Sequence, residues 1–329
     1  MALEEGGPAA TGGDEAGELF VIGGAEDKLG RRTVLGEFVT SAGAGAARIA
    51  VVPTASSLGP EIVDVYRAVF MKLGAAEVVG VRPESREQAA DPAYVDPLAS
   101  ATGIFMTGGN QLKLSSVVAG TPFGDAIVTA HRRGATVGGT SAGASIQSSH
   151  MVAFGAGGAT PKQRMTQVAA GLGLFENCVI DQHFEQRNRY GRLLMIVAQN
   201  PQLLGLGVDE DTAAVVRRTA ERTTLRVVGR GAVTILDPAE LVTNAYEAKR
   251  SQPILASGVR LHVLPAGASF DLDNRVLLRS DAAAGVHEED ELAGANADLR
   301  RLTRDIAAED KSPAVFRRRL ARREKGSSR

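Results

Sequence analysis

The sequence predicts an α/β fold: a mostly parallel central sheet with helices on both faces, a serine on a nucleophile-elbow turn at one strand end, and antiparallel hairpins at a sheet edge. Three observations predict it. Short apolar runs of strand length alternate with helix-length stretches from residue 19 onward. Four of the apolar runs meet glycine, at 23–24, 108–109, 138–139 and 207. Between 213 and 236, β-branched runs follow one another so closely that hairpins are the economical connection.

Each element has its own local reason. The runs LFVIGG (19–24), RIAVVPT (48–54), AEVVGV (76–81), GIFMTGG (103–109) and GATVGGT (134–140) are short, apolar or β-branched, and end in Gly, Thr or Pro. Residues 60–73 begin at Pro60, carry Glu61 and Asp64 early and end at Lys72 before Gly74, the charge order a helix dipole favours. Residues 122–133 begin at Pro122 and end in His131, Arg132 and Arg133, the same pattern. Strand–helix alternation of this kind builds a parallel sheet covered on both faces, whose functional groups gather at the carboxyl ends of the strands. The glycine-rich stretch 151–175 reads as a loop with a short helix, and 258–267 as a further strand.

Composition narrows the function classes. The chain has 329 residues, 44% of them hydrophobic, with a formal net charge of −1. That length buries a large core without staples, and that charge offers no general attraction for nucleic acid or a membrane surface. No stretch approaches the ~20 apolar residues of a membrane span. The single cysteine, Cys178, lies in an apolar run and reads as a buried strand residue; one cysteine allows no intramolecular disulfide, which suits a cytoplasmic protein. Residues 1–18 read as an acidic, disordered leader, 19–280 as the catalytic domain, and 281–329 as a charged helical or disordered tail.

The motif that carries chemistry is Gly139-Thr140-Ser141-Ala142-Gly143, a G-x-S-x-G pentapeptide between a strand and a helix start. A serine hydroxyl needs an adjacent base. Of five histidines, His131 sits at a helix end, His262 alternates along a strand, His287 falls in the tail, and His150 ends the helix that the serine turn begins. His183 directly follows an apolar run and is the best-placed base. A third apolar run, 203–208, breaks into Asp209, Glu210 and Asp211, any of which could orient the imidazole. The same acids with His183 could alternatively hold a metal. Arg187, Arg189 and Arg192, beside the base, point to an anionic substrate.

Five separated stretches, VIGGAEDK (21–28), FMTGGNQLKL (105–114), GGTSAGASI (138–146), IDQHFEQRNRYGRL (180–193) and GLGVDEDTA (205–213), resemble in sequence and order the cyanophycinases, serine peptidases related to dipeptidase E. The resemblance spans roughly residues 19–275. It implies cleavage of cyanophycin, a polyaspartate with arginine on each β-carboxyl, into β-Asp-Arg dipeptides without metal or organic cofactor. It implies Ser141 as nucleophile, His183 as base and Glu210, out of the three acids, as orienting group. Gln111, Asp181, Gln182, Arg187, Arg189 and Arg192 would line the substrate pocket, with Asp181 or a nearby acid taking the substrate's guanidinium. Backbone amides of Ala142 and Gly109 would form the oxyanion hole. A homodimer is implied as well. The family's usual Asp before the glutamine is Asn110 here. Close alternatives are an aspartyl dipeptidase or an inactive binding homologue.

Overall fold

The computed structural model describes residues 15–278. Residues 1–14 of the expected leader and all of the expected tail at 281–329 lie outside the described residues.

The first half of the chain is β1 (Leu19–Ile22), α1 (Thr33–Ser41), β2 (Arg48–Val52), α2 (Glu61–Lys72), β3 (Glu77–Gly80), α3 (Pro92–Val95), β4 (Gly103–Met106), α4 (Gln111–Val118), α5 (Pro122–Arg132), β5 (Thr136–Thr140) and α6 (Ala142–Ser145). The second half is β6 (His150–Gly155), β7 (Thr166–Ala170), β8 (Cys178–Gln182), α7 (Tyr190–Gln199), β9 (Leu204–Val208), β10 (Thr212–Arg218), β11 (Thr223–Gly229), β12 (Ala232–Asp237), β13 (Val242–Thr243), β14 (Ala256–Ser257), β15 (Arg260–Pro265), β16 (Ser269–Asp271) and β17 (Val276–Leu278).

Among the described residues the larger sheet has nine strands in the order β17-β16-β11-β10-β1-β5-β4-β2-β3. The segment β1-β5-β4-β2-β3 is parallel throughout, and β10, β11, β16 and β17 extend it by antiparallel pairing. Period-two alternation sends β1 side chains to both faces: Phe20 and Ile22 join α1 and α2 on one, Leu19 and Val21 join α4, α5 and the second sheet on the other. Phe38 of α1 is the hub of the first face, with ring centroids 5.6 Å from Phe20 and 5.2 Å from Phe105. The helix ends follow the sequence reading: Thr121 caps α5 ahead of Pro122, and Glu61, Asp64 and Lys72 flank α2 with the charges its dipole prefers.

Four expectations change. The hairpin-rich region does not stay in one sheet. β10 and β11 pair in the larger sheet, but β12 crosses into a second, four-stranded sheet, order β15-β12-β9-β8, where its Val233 and Ile235 cover the larger core. The 151–175 segment is no loop with a helix. β6 and β7 form an antiparallel hairpin, with Ser115 of α4 donating to the Ala170 carbonyl. His150 therefore opens a strand, because α6 closes after four residues. Gly207, read as a turn, lies inside β9, where the Phe184 ring occupies the space a side chain would need.

Strand ends converge where the two sheets meet. In the larger sheet Ile22 pairs with Thr140, so the loops after β1 and β5 emerge side by side. In the smaller sheet Gln182 pairs with Val208, so the loops after β8 and β9 do the same. The chain from β9 to β10 crosses between the sheets through residues 209–211. The Gly23–Gly24 turn stitches the sets together: the amide of His183 donates to the Gly23 carbonyl at 2.7 Å, and that of Asp211 to the Gly24 carbonyl at 2.8 Å.

Candidate active site

Close packing explains the pentapeptide. A side chain on Gly139 would lie 2.0 Å from the Gly143 carbonyl oxygen, and one on Gly143 would lie 2.2 Å from that of Met106. Only glycine lets the chain reverse this tightly from β5 into α6. Between them Ser141 is held at φ 54, ψ −107, outside the ordinary regions for an L-residue, by its own amide bonded to Ile22 O at 3.0 Å. His183 and Asp211 share the positive φ, at 47 and 52. Strain of this kind, about 1–3 kcal/mol per residue, persists only where the surroundings over-determine it.

Ser141 Oγ lies 3.1 Å from His183 Nε2, and His183 Nδ1 lies 2.8 Å from Glu210 Oε1. A carboxylate only accepts, so the Nδ1 proton donates to Glu210 and Nε2 is left to accept from the serine. The three neighbouring acids diverge. Asp209 accepts the amides of Glu185 and Ala232, at 3.1 and 3.0 Å, and Asp211 accepts that of Asp27 at 2.7 Å. Burial raises both aspartyl pKa values. Burial also depresses the His183 imidazole, with Arg187 and Arg189 adding to it, and this outweighs the opposing pull of Glu210. The ring is thus neutral near pH 7, the state a proton acceptor needs. With the acids turned apart, no group of three or more His, Cys, Asp or Glu among the described residues is placed to hold a metal.

Five of the six remaining side-chain candidates, all but Arg187, form one hydrogen-bonded train beside the serine. Gln111 Nε2 donates to the Val152 carbonyl of β6, and Gln111 Oε1 accepts from Gln182 Nε2 at 3.1 Å. Gln182 Oε1 accepts from Arg189 Nη1 at 3.0 Å and stands 3.4 Å from Ser141 Oγ. Arg189 also reaches Asp181 Oδ1 at 3.1 Å, and Arg192 grips Asp181 in a fork, Nε to Oδ2 at 2.6 Å and Nη2 to Oδ1 at 2.5 Å. Two assignments are corrected here. Asp181 is wholly buried with both oxygens occupied, so it does not face a substrate guanidinium. Arg192 is 3% exposed and spends its remaining nitrogen on Gly155 O at 3.0 Å. Buried guanidinium groups require a counter-charge, and Asp181 is that charge. Arg187 alone of the three arginines is exposed, and it makes no ion pair among the described residues. Asn110 accepts the Lys113 amide at 3.0 Å and caps α4, a task an amide performs as well as a carboxylate.

Neither the Ala142 nor the Gly109 amide donates to a protein acceptor among the described residues. Cys178 is buried, and burial pushes its thiol pKa well above the ordinary range. Sequence reading passed over Gly24. Its φ is +104, and a side chain there would sit 2.3 Å from His183 Cε1. The only sequence signal was the paired glycine at the end of β1.

Residues 19–223 match peptidase family S51. The chain is 41% identical over 262 residues to a cyanophycinase of Nostoc sp., covering 79% of this chain and 87% of that protein. It is 38% identical to a cyanophycinase of Geminocystis herdmanii, covering 77% and 93%. A crystal structure of a peptidase from an acI-B1 actinobacterium superposes with a TM-score of 0.57 at 24% identity, over 79% of this chain and 98% of that one, a likeness of fold. On the length and level of these matches, the chain belongs to peptidase family S51.

Proposed function

We propose that this chain is a serine exopeptidase that hydrolyses cyanophycin to β-Asp-Arg dipeptides through an acyl-enzyme. The observation that carries the chemistry is the contact series Ser141–His183–Glu210, at 3.1 and 2.8 Å. The substrate rests on the cyanophycinase relatives. Ser141 Oγ attacks the scissile carbonyl as its proton passes to His183 Nε2, while Glu210 holds the Nδ1 proton and steadies the imidazolium. The amides of Ala142 and Gly109 take the oxyanion. His183 then gives its proton to the leaving amine, and water repeats the sequence on the acyl-enzyme. Gln111, Gln182 and Arg189 wall the site, and exposed Arg187 supplies a cation for the substrate's α-carboxylate. In this reading the enzyme works in the cytoplasm as a homodimer that mobilises a nitrogen-storage polymer.

The test is incubation of the purified chain with cyanophycin and mass analysis for β-Asp-Arg. Release by the parent and none by Ser141→Ala is the expected result. Turnover of short Asp-X peptides with the polymer left intact would overturn the substrate in favour of an aspartyl dipeptidase. Near-normal hydrolysis by Ser141→Ala would overturn the nucleophile. Sedimentation of the same preparation reads the dimer.

A further inference from the structure

Behind the serine turn lies a buried acid that the chemistry above does not use. Glu26 is 4% exposed and accepts three hydrogen bonds: from Thr140 Oγ1 at 2.5 Å, Tyr66 Oη at 2.6 Å and Lys28 Nζ at 2.7 Å. Thr140 is the last residue of β5 and immediately precedes Ser141. Glu26 follows, by two residues, the Gly24 on which the His183 ring is seated. One side chain therefore links the loop that seats the base to the strand end that carries the hydroxyl.

A buried ion pair contributes little net stability compared with apolar packing of the same volume, so fold stability alone does not account for this carboxylate. What it supplies is direction. Charge-assisted bonds are short and roughly twice as strong as neutral ones, and this one fixes the Thr140 side chain next to a residue in a strained conformation. Burial would raise the Glu26 carboxyl, but Lys28, Thr140 and Tyr66 outweigh it and hold it below its ordinary range, so all three donors meet a charged acceptor at neutral pH.

We infer that Glu26 is a positioning residue: through the Thr140 hydroxyl it holds the Ser141 turn at its working distance from the His183 ring. This rests on Ser141 being the nucleophile. The device acts on the reacting geometry and touches no substrate, so its loss lowers kcat and spares KM.

The deciding variant is Thr140→Val, which keeps the shape and removes the hydroxyl. It is expected to lower kcat on cyanophycin at least about tenfold, with KM within about twofold, since small misplacement of reacting groups is costly. Labelling of Ser141 by a serine-directed phosphonate should slow in proportion, and Thr140→Ser should restore both. Glu26→Gln, which presents an NH2 to groups that themselves donate, should behave as Thr140→Val does. Parental kcat and labelling rate in Thr140→Val, even with a lowered melting temperature, would overturn the inference, as would a loss confined to KM. If Thr140→Val does not fold, Tyr66→Phe decides by the same readouts, because it removes a donor from the same carboxylate away from the serine. Ser141→Ala separates the two levels. Phosphonate labelling that persists in Ser141→Ala refutes the nucleophile itself. Labelling lost in Ser141→Ala but undiminished in Thr140→Val refutes only the role of Glu26.

Discussion

Replacing Gly24 by alanine tests whether the seat of the imidazole sets the reaction geometry. The added Cβ would stand 2.3 Å from His183 Cε1 and 2.5 Å from Nε2. Comfortable carbon contacts begin near about 3.5 Å, so the ring must retreat by about 1 Å or the turn must open. The turn resists opening, because Gly23 and Gly24 carbonyls are bonded to the amides of His183 and Asp211. A ring displaced by that much no longer keeps the 3.1 Å geometry between Nε2 and Ser141 Oγ. A misplacement of about 1 Å costs roughly 10²-fold in rate. The backbone penalty for a side chain at φ +104 adds about 1–3 kcal/mol of destabilisation, well inside the ~5–15 kcal/mol stability of a domain, so the variant should fold. The assay is kcat on cyanophycin beside the rate of phosphonate labelling, with far-ultraviolet circular dichroism to confirm the fold. A folded Gly24→Ala enzyme with kcat within about threefold of the parent would refute the reasoning, since the geometric cost above would then not be felt in the reaction.

Other outcomes follow from the same contacts. Because the His183 imidazole is depressed by burial, kcat/KM should rise with pH through an apparent pKa below the ordinary ~6.5, and Arg187→Gln should move that limb upward; a limb at or above the ordinary value would refute it. The matching stability contribution is complete above the unfolded imidazole pKa and is lost as pH falls toward and through the lowered folded one, which thermal melts between pH 7 and 5 would read. Glu210→Gln should lower kcat on the order of 10³–10⁴-fold with little change in melting temperature, because the tautomer loses its partner; a loss under about tenfold would return the role to the neighbouring acids. Asp181→Ala leaves two buried guanidinium groups unpaired and should cost about 3–5 kcal/mol, read as a melting temperature lower by more than about 5 °C. An unchanged melt would show that Asp181 is no structural counter-charge.

The local features of this site were legible in the residues. Short, continuous apolar runs mark β1, β2, β4 and β5, and glycine after or within them marks where the chain turns sharply, because these are constraints between near neighbours. Ser141 between glycines and His183 after an apolar run both stand at strand ends, as their contexts require. The 151–175 stretch misled because glycine dominates its composition, whereas the β6–β7 pairing is held by the neighbouring α4. The arginine cluster misled for a related reason: sequence shows three cations side by side, while burial decides that Arg192 belongs to Asp181 and that Arg187 alone stays exposed.

By itself, then, the sequence determined the strand-and-helix grammar, the serine turn, the histidine at a strand end and the family resemblance, all of which rest on short apolar runs and residue chemistry. Residue chemistry left three acids open and the resemblance favoured Glu210; only the tertiary structure shows which of them meets the imidazole. Asp209, Glu210 and Asp211 are chemically alike, and the choice is made where β9 hands the chain to β10 across two sheets, with Asp211 at φ 52 turning its neighbours in different directions. It likewise decided that Glu26, 114 residues from Thr140, bonds the residue next to Ser141, and that Gly24 faces the imidazole ring. Such pairings depend on strand register and burial, which exist only once distant segments have packed.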